Sequence, residues 1–228
     1  MFAPLHHVSL LTRYAEENHF FYTTLLGLRF VKKTVNQENH KMLHYYYGDY
    51  AGTPGSVITF FVVAALANRY DNDHFLNSIG LKIPKGSLHF WEQRLTEAQT
   101  IFTKEQNTLY FQDRDQVTIR LVEVEQPSLA KALQVQNSIP GDKQILGLLS
   151  TEFHVADLEK TAEFFYRLLG WKTDQGYLQL NGTDFIQLVQ TDTAEKTRMG
   201  RGSMDHVAFS IKDETALDHL YKKAKQQG

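Results

Sequence analysis

Four times along this chain a short strand-like run of alternating apolar and polar residues leads into a stretch with apolar residues at helical spacing. The runs are His7–Arg13, Ser78–Pro84, Ser150–Ala156 and His206–Lys212. In the first, Val8 and Leu10 share one strand face, and His7, Ser9 and Leu11 share the other. A helix is predicted over about residues 15–26, with Phe21, Leu25 and Leu28 in phase and Gly27 in a C-terminal position. Strands are predicted at Leu28–Thr34, His44–Tyr47 and Ser56–Val63, the last two separated by the turn-forming Gly48–Gly55.

The second unit begins near Asn77. Pro84–Ser87 opens a helix with Leu88, Trp91, Leu95 and Ala98 on one face, and strands follow at Asn107–Gln112 and Gln116–Val124. The polar stretch Glu125–Lys143, with Pro127, Pro140 and Gly141, reads as a part-helical connection between residues 1–124 and residues 145–228. In the third unit Asp157 caps a helix carrying Leu158, Phe165 and Leu168, and Leu168-Leu169-Gly170 echoes Leu25-Leu26-Gly27. Strands are predicted at Trp171–Asp174, Tyr177–Leu180 and Phe185–Gln190. In the fourth, the loop Arg198–Ser203 leads to a strand, Asp205–Ile211, and a helix from about Glu214. The three closing strands of the pattern do not follow, so the chain reads as C-terminally truncated, with modules one and two in its first half and module three and the start of module four in its second.

Composition narrows the chemistry. A chain of 228 residues can bury one large core or two small ones, and a net charge of −2 offers no basic field for nucleic acid or an anionic membrane. There are no cysteines, which excludes disulfides, thiolate ligands and a cysteine nucleophile. A bound metal would therefore rest on His, Asp, Glu or water. The apolar runs fall short of the roughly 18 residues of a membrane span, and the expected location is cytoplasmic.

At the equivalent position of the four strands stand His7, Ser78, Ser150 and His206. A single strand histidine is more often structural than ligating, but two at matched repeat positions suit a metal shared between the first and fourth modules. Their side-chain nitrogens should then lie within about 3–4 Å of one another, since each bond to a metal is near 2.1 Å. Ser78 and Ser150, with Thr59, Arg120 and Gln187 at the approximate last-strand positions, argue against a metal in modules two and three. His44 and the remaining histidines are read as structural or solvent-facing, and Tyr45–Tyr47 mainly as strand packing.

Repeated strand-helix-strand-strand-strand units resemble the glyoxalase/vicinal-oxygen-chelate superfamily, an α+β class of βαβββ modules. Within it the chain is similar to ring-cleaving, hydroquinone-type extradiol dioxygenases. The segments that carry the resemblance are His6–Thr12, Leu26–Asn36, His44–Asp49, Gly52–Gly55 with Thr59–Phe61, and Gly200–Phe209. The resemblance implies one non-haem Fe(II), with Mn(II) or Zn(II) as alternatives, held by His7, His206 and a glutamate beyond residue 228. A two-histidine, one-carboxylate set leaves three cis positions open for two substrate oxygens and dioxygen. It further implies that His6 is a substrate-side or acid–base group. Asp205 replaces the histidine that often precedes the fourth-module ligand. Ser9 and Asp205 are the expected substrate contacts. The expected partners are a small hydroquinone- or catechol-like aromatic and dioxygen, and a homo-oligomer is left open. Without the glutamate, this chain is expected to bind metal weakly and to turn over poorly. Two other readings remain: a glyoxalase-like metal-dependent isomerase or thiol transferase, and a non-catalytic small-molecule-binding protein.

Overall fold

The computed structural model describes residues 5–227 apart from Glu38 and Gly182. The first unit comprises β1 (Leu5–Thr12), α1 (Ala15–Phe20) with a π-helical continuation Phe21–Leu25, β2 (Arg29–Val35), β3 (Leu43–Gly48) and β4 (Val57–Val62). The second holds β5 (Phe75–Pro84), α2 (Leu88–Glu97), β6 (Phe102–Glu105), β7 (Thr108–Gln112) and β8 (Thr118–Val124). The third holds β9 (Gly147–Val155), α3 (Leu158–Leu169), β10 (Thr173–Asp174), β11 (Tyr177–Asn181) and β12 (Asp184–Gln190). Then come β13 (Met204–Phe209) and α4 (Glu214–Gln227). This is the α+β architecture of βαβββ modules that the repeat implies.

The strands make two sheets, in the orders β13-β1-β4-β3-β2 and β10-β11-β12-β9-β5-β8-β7-β6. Modules one and four therefore share one sheet and modules two and three the other, so each sheet draws on both halves of the chain. In the first sheet β1 runs parallel to β4 and antiparallel to β13. Among the described residues no helix is long and apolar enough to cross a membrane.

The first helix departs from the single α-helix expected over residues 15–26. After six residues it widens into a π-turn, closed by Leu26 N–H donating to the Phe21 carbonyl at 2.9 Å. The sequence places apolar residues in adjacent pairs, Phe21-Tyr22 and Leu25-Leu26, and a wider turn lets both members of a pair face the sheet. All four are buried, with Tyr22 stacked on Tyr47 at 5.3 Å and tilted against Phe60 at 4.8 Å. Gly27, at φ +72°, ends the element in the left-handed region, as Gly170 does for α3 at φ +73°. Asp157 caps α3 by accepting from Lys160 N–H.

The segment Glu125–Lys143 is less helical than expected, with a three-residue 3₁₀ turn at Lys131–Leu133. It is a packed strap. Ile139 enters the core, the Asn137 amide donates to the Gly27 carbonyl at 2.7 Å, and the buried Gln144 amide donates to the carbonyls of Val135 and Ile139. The loop before β13 is similarly anchored. Asp73 accepts from Lys196 Nζ at 2.7 Å and from Thr197 N–H at 2.9 Å, and these bonds hold its carboxyl well below the usual range. Arg201 reaches Asn68 and the Arg114 carbonyl, while Gly200 runs against the backbone of Asn68 and Arg69. That loop delivers the strand carrying His206.

Candidate metal centre

Strand register brings the two matched histidines together. Across the β1–β13 ladder Ser9 stands opposite His206, and His7 opposite Ala208. Residues two apart share a face, so His7 and His206 are diagonal neighbours on the same side of the sheet. Their Nε2 atoms are 3.3 Å apart, with the rings nearly perpendicular at 81°. Two nitrogens bound to one ion at ~2.1 Å with octahedral to tetrahedral angles would lie ~3.0–3.4 Å apart.

The outer ring nitrogens are engaged as well. His206 Nδ1 lies 2.7 Å from Asp205 Oδ2, and His7 Nδ1 lies 2.9 Å from His6 Nδ1. A carboxylate accepts only, so His206 Nδ1 carries the hydrogen and its Nε2 presents a lone pair toward His7. If His7 likewise donates from Nδ1 to His6, two lone pairs face one another at Nε2. A cation relieves that repulsion, and the donor set fits a divalent metal held by imidazoles with outer-nitrogen support. Burial first, and then the charges of His6, His206 and His44, push His7 down to about 4. It is neutral at pH 7 and free to ligate. Among the described residues no third His, Asp or Glu joins the pair in a cluster able to hold a metal ion.

The pair opens on a cavity of about 550 Å³ whose walls include His7, His206, Asp205, Lys32, His44, Tyr46 and Phe61. Of the expected site residues, His7, His206 and Asp205 line it. Asp205, expected at the substrate, orients the His206 ring as well as facing the cavity. His6 sits where the β1–β13 register shifts between Leu5 and His7, a bulge that breaks strict alternation, and its ring meets that of His7 edge-on with centres 5.0 Å apart. One expectation needs correction. Ser9 shares the face of His7 but is fully buried, and its hydroxyl is taken up by Thr59 Oγ1 at 2.7 Å.

His44 and Tyr46, which the sequence alone suggests are structural and packing residues, line the cavity. They alternate along β3 and face the same side as Lys32 and Thr34 of β2, which stand opposite them in register. Period-2 alternation was the available signal, but it does not say which face of β3 meets the cup. His44 Nε2 lies 2.8 Å from Thr59 Oγ1 and Nδ1 lies 2.9 Å from the Tyr46 hydroxyl. Burial first, then His206 and Lys32, push His44 down to about 4.

The equivalent place in the second sheet has a different filling. Arg120 Nη2 donates to Ser150 Oγ at 3.1 Å, and Arg120 Nη1 lies 3.4 Å from Glu152 Oε1. His154 Nε2 completes the cluster, 3.0 Å from Glu152 Oε2. Burial raises the Glu152 carboxyl, but His154 and Arg120 together bring it below its usual value.

No protein-family model matches the chain. It is 30% identical to the protein provisionally named ring-cleaving dioxygenase MhqA of Bacillus subtilis (strain 168), across 98% of this chain and 77% of that one. MhqE of the same organism, provisionally named in the same way, is 28% identical across 91% of this chain and 71% of its own. The crystal structure of a provisionally assigned dioxygenase from Bacillus subtilis superposes with a TM-score of 0.88 at 25% identity, covering 100% of this chain and 76% of that chain. Glyoxalase I from Zea mays shares the fold, with a TM-score of 0.66 at 13% identity over 97% of this chain and 79% of its own. Both the modular architecture and a 30% identical relative matched over nearly the whole chain lead to one assignment: this chain, which has the glyoxalase fold, belongs to the ring-cleaving dioxygenase family.

Proposed function

We propose that the cavity binds a small hydroquinone- or catechol-like aromatic beside a divalent metal, Fe(II), held by His7 and His206, and that the ring is opened with dioxygen. The observation that carries this reading is the 3.3 Å approach of the two Nε2 atoms, each ring tethered through its other nitrogen. An ion held by His7 and His206 would supply Lewis acidity toward the ring oxygens and dioxygen. Asp205 keeps His206 in the tautomer whose Nε2 is free to ligate, and His6 supports His7 through its Nδ1. Neutral His7 and His44 impose no positive charge of their own on the bound ion. Phe61, its ring centre 4.1 Å from that of His44, gives the cavity an apolar wall against which an aromatic ring can pack.

The test is anaerobic titration of the chain with Fe(II). His7→Ala and His206→Ala should each weaken iron binding at least about tenfold. Unchanged iron affinity in both variants would overturn the reading.

A further inference from the structure

Ser9, Thr59, His44 and Tyr46 form one hydrogen-bonded chain from the interior of the sheet to the cavity wall. Its links are 2.7 Å from Ser9 Oγ to Thr59 Oγ1, 2.8 Å on to His44 Nε2, and 2.9 Å from His44 Nδ1 to Tyr46 Oη. Ser9 and Thr59 are fully buried, and His44 nearly so. Each link carries one hydrogen, and a neutral imidazole donates from one nitrogen while accepting at the other. The whole chain can therefore run in one of two directions.

If Tyr46 donated to His44, then His44 would donate to Thr59 and Thr59 to Ser9. The Ser9 hydrogen would then be buried with nowhere to go, because among the described residues its hydroxyl meets no partner other than Thr59. An unmade hydrogen bond at a buried donor is costly. In the opposite direction Ser9 donates to Thr59, Thr59 to His44 Nε2, and His44 Nδ1–H to the Tyr46 oxygen. Every buried donor is then satisfied, and the remaining hydrogen, on the Tyr46 hydroxyl, is left for the cavity.

We infer that Tyr46 is a ligand-binding residue whose hydroxyl donates to an anionic ring oxygen of the aromatic ligand, and that Ser9, Thr59 and His44 are positioning residues that fix this direction. The inference rests on the proposed binding of a hydroxylated aromatic in this cavity. The ammonium of Lys32, on the same wall and 5.6 Å from the Tyr46 ring centre, favours a phenolate oxygen over a neutral hydroxyl there. The depressed basicity of His44 agrees with an imidazole that is neutral and accepts at Nε2.

Two measurements test this. In ¹⁵N spectra of the metal-free chain near pH 7, His44 should show Nδ1 protonated and Nε2 bare; the reverse tautomer overturns the inference. Separately, the Zn(II)-loaded chain is titrated with 4-nitrocatechol, whose absorbance reports ionisation on binding. Tyr46→Phe should weaken binding by about tenfold or more, as expected for loss of a hydrogen bond to a charged acceptor. Thr59→Val should weaken it less, and not at all in a Tyr46→Phe background. Failure of the wild-type chain to bind 4-nitrocatechol would sink the aromatic-ligand reading and this inference with it. Wild-type binding that Tyr46→Phe leaves unchanged would sink the inference alone, and an equal Thr59→Val effect in both backgrounds would remove the positioning role.

Discussion

The carboxylate of Asp205 sits 2.7 Å from Nδ1 of His206, on the side of the ring away from His7. An adjacent acceptor in this place sets which nitrogen of the imidazole can ligate. The pair is partly exposed, with side chains 41% and 44% accessible, so its effect is on ring orientation more than on stability.

Asp205→Ala should therefore lower the affinity for Fe(II) or Zn(II) by roughly 10- to 100-fold and leave thermal stability nearly unchanged. Competition titration against a chromogenic chelator, with a melting curve as control, makes the measurement. A loss of affinity matched by a collapse in melting temperature would mean that Asp205 acts on the fold.

Gly200 lies where a Cβ would come within 2.4 Å of the Arg69 nitrogen and 2.6 Å of the Ala67 carbonyl oxygen. These are backbone atoms and cannot swing aside. Gly200→Ala should cost about 1–3 kcal/mol. Because the loop delivers β13, metal affinity at His206 should fall along with denaturant resistance.

Arg120 is the cation of the polar cluster in the second sheet, with its side chain only 10% accessible and its partner Glu152 at 17%. Arg120→Met leaves a largely buried carboxylate whose arginine partner is gone, and should destabilise by about 3 kcal/mol. Adding Glu152→Gln should recover much of that loss, because the uncompensated charge is then gone. A double-mutant cycle by urea denaturation reads the coupling directly.

Asp113 provides a pH signature. Burial first, with Asp115 adding to it against bonds from Val117 and Tyr22, pushes its carboxyl up to about 7. Its raised folded-state value means that, between pH ~4 and about 7, the native chain retains a proton that the unfolded chain has released. Stability from this group is therefore highest below pH ~4 and declines as pH rises through about 7, staying low above it. Asp113→Asn keeps the acceptor for the Asp115 and Val117 N–H groups and removes the titration. Between pH 5 and pH 8 the wild-type chain should lose more stability than the variant, by up to about 3 kcal/mol. Parallel urea midpoints for the two proteins would refute the assignment.

Much of this molecule was legible in one dimension because its signals are local. Alternation and helical spacing repeat with the modules, so most elements were found to within a few residues, as with Asp157 capping α3 and Gly170 ending it. The equivalence of His7 and His206 also required nothing beyond counting along the repeat. The edge strand β6 and the π-turn escaped notice: the first is a short, mostly polar run, and the second depends on how paired apolar residues meet a sheet.

What the linear chain by itself determined is the set of modules and the histidines they carry. Tertiary structure decided which modules share a sheet, and with that the register of β1 against β13 that sets one imidazole diagonal to the other. It also decided the fates of Ser9, His6, His44 and Tyr46. A strand residue's face follows from its parity, but whether that face meets a cavity, a buried hydroxyl or a neighbouring ring depends on strands far away in sequence. Ser9 and Thr59 are 50 residues apart and His7 and His206 are 199 apart. Contacts at such separations are set by sheet order, which no local pattern encodes.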